Sequence, residues 1–182
     1  MTSSSSDHQR RAADAAGHDP IRCAVLTVSD TRTLKTDRSG PLAEEVLAEH
    51  GHVTIARSIV PDDPDTIAAQ LDAWLGDERI QVILTTGGTG IGRRDTTIEV
   101  VRRLVAVELE GFGELFRMLS YRQIAAAAML SRAVAGLVRR EPQCGGDTFV
   151  FAIPGSTDAV RTATAELIAP QLAHLVWHRG GD

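Results

Sequence analysis

The stretch Val82-Ile83-Leu84-Thr85-Thr86-Gly87-Gly88-Thr89-Gly90-Ile91-Gly92-Arg93-Arg94-Asp95 constrains the fold of this chain more than any other. Its three leading aliphatic residues predict a strand buried on both faces. Gly87, Gly88 and Gly90 end that strand, and helical spacing begins past Asp95. A strand that enters a helix through a glycine loop makes a natural anion site. Bare backbone N–H groups can approach the ligand, and the helix start adds partial positive charge. Thr85, Thr86 and Thr89 add uncharged hydroxyl donors. A tight turn alone needs fewer special residues, so anion binding is the preferred reading.

Any phosphate held there must be held without lysine. Lys35 is the only lysine, so the Gly-Lys-Ser/Thr of a P-loop is absent. Lys35 lies in a polar loop that offers no desolvation to activate its amine for Schiff-base chemistry. The 182 residues suffice for one domain with a sizeable core. A formal charge of −5 weighs against non-specific nucleic-acid binding, and no apolar run reaches membrane-spanning length. Cys23 and Cys144 are too few for a disulfide framework or a metal cluster and read as free thiols. With no secretory signal in view, the expected compartment is the cytoplasm.

Residues 1–20 are rich in Ser, Ala and Asp without apolar periodicity and read as a disordered tail. Residues 21–182 read as one domain. Strands are predicted at Cys23–Ser29, Val53–Val60, Gln81–Thr86 and Thr148–Ile153. One helix is entered through Pro41 and stopped by Gly51. The next is capped by Asp63, with Pro64 at its first position. Ile98, Val101, Leu104 and Val105 mark a third helix. The last is capped by Ser156 or Thr157 and runs to about His178. The chain is irregular at Gly111 and Gly113 and then turns helical. The alanine-rich Tyr121–Val138 is predicted helical too, interrupted at Ser131-Arg132. Arg139–Asp147 reads as a surface loop. The alternation predicts βαβ units in a mostly parallel sheet, an α/β three-layer sandwich. Ligands of such sheets bind outside the carboxyl ends of the strands, where Ser29-Asp30, Asp62 and the glycine loop would converge.

Asp62 and Asp95 each follow a strand or a glycine loop near a helix start. Carboxylates in that place either cap the helix or hold Mg²⁺, which takes one or two carboxylates plus substrate phosphates. Spacing leaves both roles open, with Asp95 nearer to a cap. Arg93-Arg94 can pair with phosphate. His174 and His178 have zinc-like spacing without an evident third ligand, so surface histidines are the preferred reading. Arg132, set in an apolar helical stretch, needs a partner or an anion, with an oligomer contact the first choice.

Seven motifs occur in order: Leu26-Thr27-Val28-Ser29-Asp30, Asp37-Arg38-Ser39-Gly40-Pro41, Val60-Pro61-Asp62, Leu84-Thr85-Thr86-Gly87-Gly88-Thr89-Gly90 with Arg94-Asp95, Gly111-Phe112-Gly113-Glu114, Leu130-Ser131-Arg132 and Pro154-Gly155-Ser156. Together they resemble the molybdopterin-binding family of molybdenum-cofactor biosynthesis, the MoaB/MogA type, from about Ile21 to the C-terminus. Gly111-Phe112-Gly113-Glu114-Leu115-Phe116-Arg117-Met118-Leu119-Ser120 and Ala152-Ile153-Pro154-Gly155-Ser156-Thr157 look closer to the MoaB branch. The resemblance implies a MoaB/MogA-like fold and a homotrimer or homohexamer. It also implies transfer of AMP from Mg-ATP to the terminal phosphate of molybdopterin, with pyrophosphate released, and handover to other molybdenum-cofactor enzymes. The alternative is a carrier that binds molybdopterin without chemistry. Carried over by position, Asp62 and Asp95 are the catalytic, Mg²⁺-linked pair. Thr86, Gly87, Gly88, Thr89 and Gly90 hold phosphate, and Ser29, Asp30, Ser120, Pro154, Gly155 and Ser156 line the substrate site. Charge and hydropathy leave no nucleic-acid or membrane partner expected. Thr97-Ile98 and Gly92-Arg93 depart from the usual residues of the family.

Overall fold

The computed structural model describes residues 19–141 and 146–179. Cys144 and most of the predicted tail, residues 1–18, lie outside the described residues. One sheet has the strand order β2-β1-β3-β6-β5-β4. Its strands are β1 (Arg22–Val28), β2 (Val53–Val60), β3 (Val82–Thr86), β4 (Val107–Glu108), β5 (Val134–Val138) and β6 (Thr148–Ile153). The β2, β1, β3 and β6 strands run parallel, while β5 is antiparallel to both β6 and β4.

The helices are α1 (Ser39–Glu49), α2 (Pro64–Leu75), α3 (Thr97–Leu104), α4 (Glu110–Ile124), α5 (Thr157–Thr162) and α6 (Leu172–His178). Side chains of a strand point alternately to its two faces, and that alternation sorts the helices into two layers. Cys23 and Val25 of β1 share one core with Leu47 of α1, Phe116 of α4 and Val160 of α5. Ala24, Leu26 and Val28 share the other with Leu71 of α2 and Val101 of α3. Every residue of β3 is buried, and each of its three aliphatic side chains stabilises the fold by roughly 1.5–3 kcal/mol. From β1 the chain crosses through α1 to β2 on one side. From β2 it crosses through α2 to β3 on the other. That reversal opens a crevice at the carboxyl ends of β1 and β3.

The helix predicted over Tyr121–Val138 is formed only in its first part. The α4 helix ends at Ile124, Ala125 takes a positive φ of 49°, and a 3₁₀ segment spans Ala125–Leu130. Val134–Val138 is instead strand β5, buried throughout. The helix propensity of alanine yields here to strand pairing, which sets β5 between β4 and β6. Gly136 permits that pairing, since a Cβ there would lie 2.2 Å from Val105 Cγ1 and 2.6 Å from Val107 O. Arg132 pairs with Glu99 of α3 at 2.5 Å, a partner within the chain. The last predicted helix is broken. A π-helical segment, Ala163–Ile168, and a 3₁₀ turn, Ala169–Gln171, separate α5 from α6. Pro170 lies in that break, where its missing N–H interrupts regular helical hydrogen bonding.

Candidate functional site

The loops after β1, β2 and β3 meet over the crevice, with the turn after β6 at its edge. Gly87 N–H donates to Ile153 O at 3.0 Å, which ties the glycine loop to β6. Gly87 and Gly88 have φ of +98° and +60°, a region that favours glycine. A side chain at Gly88 would meet Thr97 Oγ1 at 2.3 Å and Asp62 Oδ2 at 2.6 Å, so Asp62 lies against the loop. Asp62 Oδ1 accepts from the N–H and the hydroxyl of Thr96, at 3.2 and 3.1 Å. The acid thus serves the start of α3 from a different loop and leaves Oδ2 toward Gly88. Asp95 Oδ2 accepts from Gly92 N–H at 2.8 Å, and a Cβ at Gly90 would lie 2.7 Å from that oxygen. The two acids therefore touch opposite ends of one short loop.

Electrostatics records their proximity. Burial raises the Asp62 carboxyl above the ordinary carboxylate range, and hydrogen bonds from Thr96 oppose that rise. The negative charges of Asp95 and Asp30 then push it further up. A cation among these acids would relieve the repulsion. The available donors are oxygens, and Thr97 Oγ1 is buried without a hydrogen-bond partner. Among the described residues no three His, Cys, Asp or Glu side chains form a metal cage. This donor set fits a hard divalent ion that completes its shell with substrate phosphates, and does not fit an ion enclosed by protein alone.

The remaining expected site residues fall into two groups. Ser29 N–H donates to Val60 O at 2.8 Å, and Ser29 Oγ accepts from Arg32 N–H at 3.2 Å. Asp30 Oδ1 accepts from Asp62 N–H at 3.1 Å and from Arg94 at 3.0 Å, which joins three loops. Thr86 Oγ1 donates to Pro154 O at 3.3 Å, and Thr89 is buried. Gly155 packs on Gly87, where an added Cβ would stand 3.1 Å from the Gly87 Cα. Ser156 Oγ accepts from Ala159 N–H at 3.3 Å and caps α5, as predicted. These residues gather at the crevice. Ser120 is buried on α4, and among the described residues no hydrogen bond ties it to these loops. His174 and His178 stack edge to face with ring centroids 4.4 Å apart and belong to no metal cluster of the described residues.

Asp37 has a role that its local sequence does not reveal. Its side chain is fully buried. Asp37 Oδ2 accepts from Thr27 Oγ1 at 2.8 Å, and Oδ1 accepts from Ser39 N–H at 3.0 Å and from Gly40 N–H at 3.2 Å. Arg57 completes the neutralisation at 3.4 Å. Asp37 therefore fixes the β1–α1 loop to β1. The only local signal was a carboxylate two residues before a Ser-Gly-Pro helix start.

Residues 24–174 match the family described as "Probable molybdopterin binding domain". The chain belongs to that family of molybdenum-cofactor biosynthesis proteins. It is 52% identical over 160 residues to molybdenum cofactor biosynthesis protein B of Staphylococcus carnosus, over 86% of this chain and 89% of the relative. A crystal structure of a molybdenum cofactor biosynthesis protein B matches with TM-score 0.82 at 46% identity, covering 90% of this chain and 99% of that one. The tungsten cofactor synthesizing protein MoaB of Pyrococcus furiosus matches with TM-score 0.79 at 36% identity, again over 90% and 99%. The family fold, helices on both faces of a mixed sheet, is the one described above. Among the described residues no helix is long and apolar enough to cross a membrane.

Proposed function

We propose that this chain binds molybdopterin and transfers AMP from Mg-ATP to its terminal phosphate, giving adenylyl-molybdopterin and pyrophosphate. One observation carries the reading: Asp62 and Asp95 lie against the same glycine loop, at Gly88 and Gly90, beside an unpartnered Thr97 hydroxyl. Mg²⁺ held by the two acids would neutralise phosphate charge at the reacting phosphorus. The chain's own part is alignment. Glycines 87, 88 and 90 let phosphate oxygens approach the backbone, and Asp30 ties the loop after β2 to Arg94 beyond the glycines. An oxygen of the molybdopterin phosphate forms the new bond to the α-phosphorus, and the bond to the bridging β-oxygen breaks. The attacking oxygen is already anionic, so the site needs no strong base.

The carrier reading keeps one observation in its favour. Both acids already accept backbone N–H donors, as purely structural caps would. Pyrophosphate release from Mg-ATP plus molybdopterin separates the two. Asp62→Asn and Asp95→Asn keep their acceptor oxygens and should each lower turnover by about 100-fold while changing molybdopterin affinity by less than about threefold. Tight molybdopterin binding by the native chain with no pyrophosphate released would leave the carrier.

Self-association is part of the proposal. Leu115, Met118, Tyr121 and Ile124 repeat every third residue along α4 and are 47–63% exposed, an apolar stripe suited to a second copy. Light scattering that shows only a monomer would remove this part.

A further inference from the structure

We propose that the cleft between the β1–α1 loop and the β6–α5 turn holds a phosphate monoester that carries no metal ion. Resting on the adenylyl-transfer reading, we assign it the acceptor's phosphate, with Lys35 and Arg38 selecting the phosphorylated form. The cleft measures about 550 Å³, and Arg32, Lys35, Arg38, Ser39, Gly155 and Thr157 line it. Three of these residues are cations, and among the described residues no carboxylate lines the cleft.

The positive charge there is not spent elsewhere. Arginines 57, 79, 94, 102, 132 and 139 all form ion pairs, whereas among the described residues Lys35 and Arg38 form none. Two nearby acids are already committed. Asp37 is buried under its own donors and Arg57, and Asp30 is paired with Arg94. Past Arg38 the groove continues with mixed charge, where Arg161 stands among Glu45 and Asp158. Along this groove, net positive character therefore belongs to the cleft.

The loop that carries the cations is built. Thr33 O accepts from Thr36 and Asp37 N–H groups at 3.0 and 2.8 Å, and Arg32 donates to Thr36 O at 2.9 Å. Asp37 then anchors the turn to Thr27. Lys35 and Arg38 thus leave a fixed frame on either side of a buried anchor.

Position relative to the acids gives the cleft its meaning. Gly155, a wall of the cleft, packs on Gly87 of the glycine loop. Farther along that loop, Asp62 lies against Gly88 and Asp95 against Gly90. A bare phosphate dianion is repelled by those acids and attracted by Lys35 and Arg38, while a metal-bound polyphosphate brings a cation that the acids can accept. Two phosphate substrates are thereby sorted by whether they bring a cation, and they meet at the Gly87–Gly155 contact.

The test compares the native protein with a Lys35→Gln/Arg38→Gln double variant in equilibrium binding. The probes are molybdopterin and its dephosphorylated form in the presence of EDTA, and Mg-ATP separately. Both side chains are exposed, and circular dichroism with thermal melting checks that the variant folds. We expect the dissociation constant for molybdopterin to rise about tenfold or more, and those for dephospho-molybdopterin and Mg-ATP to change less than about twofold. Lys35→Arg in the single-site background should keep the selectivity, since it keeps the charge. Equal weakening for both pterins, a loss confined to Mg-ATP, or no change for any probe would each overturn the assignment. Because the readout needs no turnover, a native protein that shows this selectivity yet releases no pyrophosphate would refute adenylyl transfer and leave the cleft standing.

Discussion

Two turns of this molecule share a plan and differ in how they are completed. After β6 the chain passes Pro154-Gly155 and enters α5 with Ser156 as its own cap, the hydroxyl accepting from Ala159 N–H three residues on. After β3 it passes Gly87–Gly90 and enters α3 at Thr96, which makes no side-chain cap of its own. The missing acceptor arrives from the loop after β2, as Asp62. Thr97, next along, keeps a buried hydroxyl with no partner. A turn that satisfies itself within four residues is complete as structure. A turn that borrows a carboxylate from another loop and still leaves a hydroxyl unsatisfied retains polar capacity for a ligand.

Replacing one glycine in each turn should expose that difference most strongly. Gly88→Ala forces a left-handed alanine whose Cβ would stand 2.3 Å from Thr97 Oγ1 and 2.6 Å from Asp62 Oδ2. We expect it to cost about 1–3 kcal/mol of stability and to lower turnover by roughly 100-fold, because the acid and the loop are displaced together. Gly155→Ala has ordinary backbone geometry and a contact of 3.1 Å to the Gly87 Cα, which a small shift can accommodate. Its turnover should fall less than about tenfold. Paired kinetics and denaturant melts check both. Comparable losses in the two variants would erase the distinction between the turns.

Ser156→Ala addresses the self-contained turn alone. Loss of the cap should cost about 1 kcal/mol and lower the melting temperature by about 2–4 °C. Its effect on molybdopterin affinity should stay below about threefold, since the hydroxyl already accepts from Ala159 N–H. A larger loss of affinity with little loss of stability would place that hydroxyl on the ligand.

The same contrast explains what could be read from the chain beforehand. Ser156 and Asp63 act on N–H groups three residues ahead, at Ala159 and Thr66, so local spacing exposes both caps. The strand β3 announces itself because every residue in it is buried and no face has to alternate. Asp62 could be named as a free acid, but its hold on Thr96 spans 34 positions and needs the crossover from β2 to β3. Asp30 reaches Arg94 across 64 positions for the same reason. The strand β5 was concealed by the alanines before it. Gly136 and the valines at its two ends signal a strand only once β4 and β6 are known to flank it. The cationic cleft has no local signature, because its two sides, Lys35-to-Ser39 and Gly155-to-Thr157, are brought together only by the sheet.

The smallest effect concerns the charge that the borrowed cap brings with it. Asp62 titrates above the ordinary carboxylate range through burial, with Asp95 and Asp30 adding repulsion. A carboxyl whose folded pKa lies above its unfolded value binds its proton more tightly when folded. Its ionised form therefore opposes folding at pH above the folded pKa, and that opposition fades as pH falls through it. Asp62→Asn removes the charge and keeps an oxygen for Thr96, so at neutral pH the variant should be more stable than the native chain. Solvent screening at this half-buried position limits the gain to about 0.5 kcal/mol. Thermal melts across the acidic range should show the advantage shrinking to nothing as Asp62 protonates in the native protein. Saturating Mg²⁺ should reduce the same advantage at neutral pH, because a bound cation screens the three acids in the native chain and gains less from two. A variant that is less stable at neutral pH, with the deficit unaffected by Mg²⁺, would mean that Asp62 is a cap like Ser156 and that the two turns differ in sequence distance alone.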